Sequence, residues 1–200
     1  MIVAGIFLGQ ATMTAPAQAL YDVDTADSGY VWNVSRLWAY QPETVDRLFE
    51  LMSAAFKPSG LSFRQRGILV AAAASALGDS YCSLAWGGKL ANATEPDLAA
   101  SVLRGTDDEL NEQERAMAAW ARKVVTDPNS TTPTDVQALR DAGLNDEQIF
   151  AITTFVALRV AFSTVNDALG AHPDPQLVAN LPKEVVDAVT YGRPVSPAHA

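Results

Sequence analysis

The chain has 200 residues, 48% of them hydrophobic and 18% charged, which is enough apolar material for one domain with a real core and too much for disorder. Its 23 acidic and 14 basic residues give a net charge of −9. With no basic cluster to neutralise phosphates, nucleic acid and an anionic membrane surface are both poor partners. The single cysteine, Cys82, excludes an intramolecular disulfide and any multi-thiolate metal site. The two histidines, His172 and His199, are far apart in sequence, so no metal and no cofactor are expected.

The first twenty residues read as a tail or a leader. Residues 1–9 are apolar, and Ala17-Gln18-Ala19 resembles a signal-peptidase site, yet no Lys or Arg precedes the apolar segment. Met13 is an alternative start. The expected location is cytoplasmic, with a leader ending near Ala19 as the alternative. The expected domain covers residues 21–195, followed by a tail over 196–200.

Strand signals are weak, whereas helix starts are well marked. Pro42 fits a first helical turn, and Val45, Leu48, Phe49, Met52 and Phe56 form a helical stripe through residue 56. Pro58-Ser59-Gly60 ends it. Ser62 and Gln65 form a capping-box pattern for a helix running through the alanines 71–74. This helix has almost no polar face and should be central. Gly78 breaks it, and Asp79 can cap the next helix, which carries Tyr81, Cys82, Leu84 and Trp86 and is expected to weaken or kink at Gly87-Gly88. Thr94 with Asp97 should open a short helix through Leu103. Asn111 with Glu114 should open the helix over 115–125, and Thr134 with Gln137 a short one ending at Gly143. Asn145 and Gln148 open the longest helix, through about Leu169, apolar nearly all round and so also central. A last amphipathic helix covers 182–189. Neither the run over 67–78 nor the one over 149–165, which Arg159 interrupts, reads as a membrane span. The sum is an all-α bundle with two apolar central helices surrounded by amphipathic ones.

The segment 69–90, LVAAAASALGDSYCSLAWGGKL, resembles the alkylhydroperoxidase D-like and carboxymuconolactone decarboxylase superfamily. The stretches beginning at Leu139 (LRDAGLND), Val165 (VNDALGAHPD) and Tyr191 (YGRP) look like its longer, peroxidase-related members. The resemblance implies an alkylhydroperoxidase D-like helical bundle, assembled as a homo-oligomer, a trimer or a multiple of one. The peroxidase branch carries a Cys-x-x-Cys-x-x-x-His motif with a Tyr before the second Cys and an acidic residue upstream. Tyr81 and Cys82 match the Tyr and the second, peroxide-attacking Cys. Asp79 stands where the resolving Cys would be, Trp86 in place of the His and Gly67 in place of the upstream Glu. In the other registration Cys82 is the first Cys, with Ala85 and Lys89 at the later positions; the Tyr favours the former.

A dithiol mechanism is therefore excluded, and a lone thiol remains in the first turn of a helix. The helix N-terminus favours its thiolate, and Asp79 opposes it. The candidate catalytic residues are Cys82 and Asp79; Tyr81 and Trp86 are the candidate substrate-binding residues. One reading is a one-cysteine thiol peroxidase whose sulfenic acid is resolved by an external thiol reductant. A second is a redox-inactive pocket for an apolar small molecule or lactone. A third is a structural oligomer without a site. The blander reading of Cys82 is a small buried hydrophobe, and of Asp79 an N-cap. Trp32, Trp38, Trp86 and Trp120 read as core or interface anchors, Arg66 and Arg159 as partners of carboxylates, and Asn166-Asp167 as a helix-end hydrogen-bond network. His172 is expected in a solvent-exposed loop and the run Asp107-Asp108-Glu109 on a solvated face.

Overall fold

Four short polar signals place the starts of four of the eleven described helices. In the computed structural model, which describes residues 5–197, Ser62/Gln65, Asn111/Glu114, Thr132/Asp135 and Asn145/Gln148 each form a reciprocal capping box. Each cap satisfies backbone N–H groups that the first helical turn leaves without partners. The elements are α1 (Ala15–Ser28), α2 (Asn33–Trp38), α3 (Pro42–Phe56), α4 (Phe63–Leu77), α5 (Ser80–Ala93), α6 (Pro96–Arg104), α7 (Glu112–Thr126), α8 (Pro133–Asp141), α9 (Asp146–Ala168), α10 (Pro175–Ala179) and α11 (Lys183–Ala188). Two 3-10 turns, Lys57–Ser59 and Pro128–Ser130, join α3 to α4 and α7 to α8. No strand occurs among the described residues, so the all-α expectation holds.

The interior is organised around α4. From Gly67 to Ala74 every residue is buried, because α4 packs against α5, α6, α7 and α9 at once. Its alanines have no side chain to hold neighbouring helices apart. The second apolar helix differs from expectation. α9 buries Ile152, Phe155, Val156 and Phe162 against α3, α4 and α7, but Phe150, Ala157, Ala161, Thr164 and Ala168 on its outer side are exposed. α9 is long and apolar enough to cross a bilayer. Here it packs against helices and carries the buried Arg159 at its middle.

Other sequence expectations shift for local reasons. Gly87 and Gly88 do not interrupt α5. They permit close contact instead: a Cβ at Gly87 would lie 2.8 Å from both Leu103 and Val185, and one at Gly88 2.3 Å from Leu181. Thr94 does not cap α6; its hydroxyl donates back to the Leu90 carbonyl, and Glu95 stands at the cap position. The cap of α8 is Thr132, two residues before Thr134, with Pro133 at the first helical position. Asp107 is not simply solvated, since Arg122 donates to both of its oxygens at 2.6 and 2.8 Å. The segment read as tail or leader forms part of the described structure from Gly5 on. Ile6 packs with Leu37, Tyr81 and Ala171, and Ala17, inside α1, is fully buried. His199 and residues 1–4 lie outside the described residues.

Candidate functional site

Gly78 ends α4 in the left-handed conformation (φ +73°), and the chain turns directly into α5. Asp79 is the N-cap: its Oδ1 accepts the Cys82 N–H at 2.8 Å, and its carboxylate is fully buried with Oδ2 unpartnered among the described residues. This local turn fixes Cys82 in the first turn of α5, 3% exposed. The second half of the thiol's surroundings comes from α9. Arg159 Nη2 donates to Cys82 Sγ at 3.3 Å, and the Ser163 hydroxyl lies 3.8 Å from it.

Beyond the sulfur opens a cavity of about 270 Å³. Trp38, Phe49, Trp86 and Phe162 supply aromatic walls, and Asp24, Ser35, Tyr81, Cys82, Lys89 and Arg159 are the polar residues of its lining. The walls are held rigidly. Trp38 stacks on Phe162 with centroids 5.6 Å apart, and its indole N–H donates to Asn166 Oδ1 at 2.8 Å. Trp86 carries Lys89 over its ring at 5.0 Å, Arg66 at 5.4 Å and Arg159 at 5.6 Å.

The electrostatics oppose ionisation of the thiol in this state. Burial is the largest cause, and the Asp79 charge adds to it; together they push the Cys82 thiol above its usual range, while Arg159 pulls the other way. Behind the cap, burial and then Asp79 push the Asp167 carboxyl up to about 7. Tyr81 turns its hydroxyl to Asp174, whose carboxylate also accepts the Asn33 N–H at 3.0 Å. Burial pushes Asp174 up to about 6.

All four sequence candidates therefore meet at the N-terminal half of α5, with different parts to play. Cys82, Tyr81 and Trp86 line the cavity; Asp79 is the cap behind it. One charged residue of the site has a different partner from the one expected. Arg159 was expected to pair with a carboxylate and instead donates to the thiol. Among the described residues Arg66 also pairs with no carboxylate; its guanidinium lies over Phe56, Trp86 and Phe155 at 5.3–5.5 Å. Lys89, at the His position of the less favoured registration, does reach the cavity that Cys82 lines. The only sequence signal for Arg159 was a charge inside an apolar helix. Asn166 does hold a helix-end hydrogen bond, whereas His172 is half-buried and its Nδ1 lies 2.8 Å from the Pro194 carbonyl oxygen. Among the described residues no group of three His, Cys, Asp or Glu side chains could hold a metal.

No family model matches the sequence. No curated protein matches it either. Solved structures do. An uncharacterized peroxidase-related protein from Ralstonia eutropha JMP134, described as an alkylhydroperoxidase AhpD core, is 22% identical with a TM-score of 0.76, over 86% of this chain and 94% of that one. An uncharacterized peroxidase-related protein from Silicibacter sp. TM1040 is 19% identical with a TM-score of 0.74, over 86% and 94%. The debrominase Bmp8 is 17% identical with a TM-score of 0.70, over 92% of this chain and 97% of its own. A cysteine-to-alanine variant of Bmp8, crystallised with 2,3,4-tribromopyrrole, is also similar. The chain thus has the alkylhydroperoxidase D-like fold.

Proposed function

We propose that the protein is a one-cysteine thiol peroxidase that reduces a compact apolar hydroperoxide in the Cys82 cavity. The observation that supports it most is the position of the sulfur, on the wall of an aromatic cavity with the Arg159 guanidinium 3.3 Å away. Attack of the sulfur on the outer peroxide oxygen forms an S–O bond and breaks the O–O bond. The thiol proton ends on the departing alcohol, and Asp79, with one oxygen unpartnered, is the proposed relay. The product on the enzyme is a sulfenic acid. One external thiol condenses with it and releases water; a second reduces the mixed disulfide and restores Cys82. Arg159 favours the thiolate and the developing alkoxide. Cumene hydroperoxide with excess dithiothreitol tests the reading. Consumption should fall to background in Cys82→Ser, and a sulfenic acid should be trapped by mass in wild type. Equal consumption by the two proteins sinks it.

The second reading is a redox-silent pocket that binds a compact apolar molecule, and the burial and Asp79 charge that push the thiol up favour it. The tribromopyrrole held by the debrominase variant is a one-ring ligand of a size these aromatic walls would accept. Thermal stabilisation by small aromatics and lactones, equal in wild type and Cys82→Ser and without turnover, would select it.

A further inference from the structure

We propose that the Cys82 cavity takes its ligand as an anion, a one-ring apolar carboxylate whose oxygens rest on Arg159 and Lys89. This deepens the reading of the cavity as a small-molecule site, and it does not depend on the redox chemistry of Cys82.

The argument starts from hydrogen-bond donors without acceptors. A guanidinium has five N–H donors and almost never sits buried without a carboxylate or phosphate. Arg159 is 5% exposed, has no carboxylate within ion-pair distance among the described residues, and leaves its Nε unpartnered. Among the described residues its side chain makes one hydrogen bond, to the Cys82 sulfur. Burial and the Asp79 charge push that thiol up and so disfavour its thiolate, the only form that would supply a counter-charge. The rings of Trp86 and Phe162, at 5.6 and 5.1 Å, cushion the cation but accept none of its in-plane hydrogen bonds. Other arginines of this chain find such partners: Arg64 has Glu114, Arg122 has Asp107 and Arg140 has Asp146.

Lys89 adds a second cation to the lining, one α5 turn beyond Trp86, and like Arg159 it lies over the Trp86 ring. Burial is the main cause that lowers its pKa, and the Arg159 and Arg66 charges add to it. The carboxylate that does line the cavity is already committed. Asp24 accepts the Trp32 N–H at 3.0 Å, and its charged neighbours are Asp27 and Arg36, not the two cations. Among the described residues no carboxylate therefore balances the two cations of the cavity.

Size sets the rest of the ligand. An engineered apolar cavity of about 150 Å³ accepts benzene. A cavity of about 270 Å³ leaves room for one ring and a small charged substituent, and Trp38, Phe49 and Phe162 supply flat apolar walls for the ring.

Benzoate and its neutral isostere benzamide are the probes, titrated by calorimetry into the full-length protein. Benzoate should bind wild type on the order of tenfold tighter than benzamide, the range of a charge-assisted hydrogen bond. The preference should persist in Cys82→Ser and shrink several-fold in Lys89→Met, a substitution that leaves the core intact. Equal affinities, a preference for benzamide, or binding of neither probe overturns the proposal. A preference for benzoate seen only in Cys82→Ser also overturns it, because the Cys82 thiolate would then be the counter-ion of Arg159. Benzoate preference without hydroperoxide turnover would leave this inference standing and remove the peroxidase reading; turnover without the preference would do the reverse.

Discussion

Arg64 and Arg159 make an instructive pair. At the start of α4, Arg64 meets Glu114 of α7 through two hydrogen bonds of 2.6 and 2.9 Å, and Glu114 also accepts the Asn111 N–H of the α7 capping box. Every charge there has its complement, and the arrangement locks two helices together. At the middle of α9, Arg159 is more deeply buried and faces a thiol, two aromatic rings and a cavity. The same fold thus satisfies one arginine fully and leaves another short of acceptors among the described residues.

The comparison breaks most visibly at Glu114. Glu114→Ala removes the ion pair and the reciprocal cap together and should cost about 2–3 kcal/mol, the pair being discounted because Arg64 is over a third exposed. Urea denaturation measures it. Arg159→Met should leave stability nearly unchanged, since replacing a buried cation that lacks a counter-ion by an apolar side chain of similar length is neutral or favourable. Its effect should appear at Cys82 instead: loss of the cation that opposes burial should slow thiol alkylation at pH 8 by about tenfold. If Arg159→Met unfolds as readily as Glu114→Ala, the contrast between the two arginines is false.

Asp79→Asn sharpens the same contrast from the opposite side. Asparagine keeps the N-cap hydrogen bond and removes the negative charge that pushes the thiol up, so alkylation at neutral pH should rise several-fold with little change in Tm. The smallest effect concerns Asp167, whose carboxyl is pushed up to about 7 by burial and by Asp79. Between the unfolded value near 3.9 and that folded value, the native state holds a proton that the unfolded chain has released. Stability therefore falls as pH rises through this window. Asp167→Asn should leave Tm unchanged at pH 4 and raise it by a few degrees at pH 8.

Legibility from the sequence follows the range of the interaction. Ser62/Gln65, Asn111/Glu114 and Asn145/Gln148 could be read directly because each cap closes within three residues. Thr132 was missed in favour of Thr134 because two threonines compete within one turn, and Pro133 decides between them by fitting the first helical position. Gly87 and Gly88 were read as helix weakeners, since propensity cannot show the side chains of Leu103, Val185 and Leu181 closing on them from other helices. At the site, Tyr81, Cys82 and Trp86 were legible as neighbours on one helix. Arg159 was visible only as an anomaly whose partner type was guessed wrongly.

The sequence by itself determined an all-α chain, the place of its main helix starts, the buried α4 and a lone thiol one turn inside α5. These depend on short-range capping, on apolar periodicity and on a cysteine count, all properties of contiguous residues. Only the tertiary structure decided what faces the thiol. Arg159 reaches Cys82 across 77 residues of chain, Trp38 and Phe162 close the cavity from α2 and α9, and Asp79 turns its charge inward behind them. Such contacts exist only once helices far apart in sequence have packed, and that packing converts a buried cysteine into one wall of a cationic, aromatic cavity.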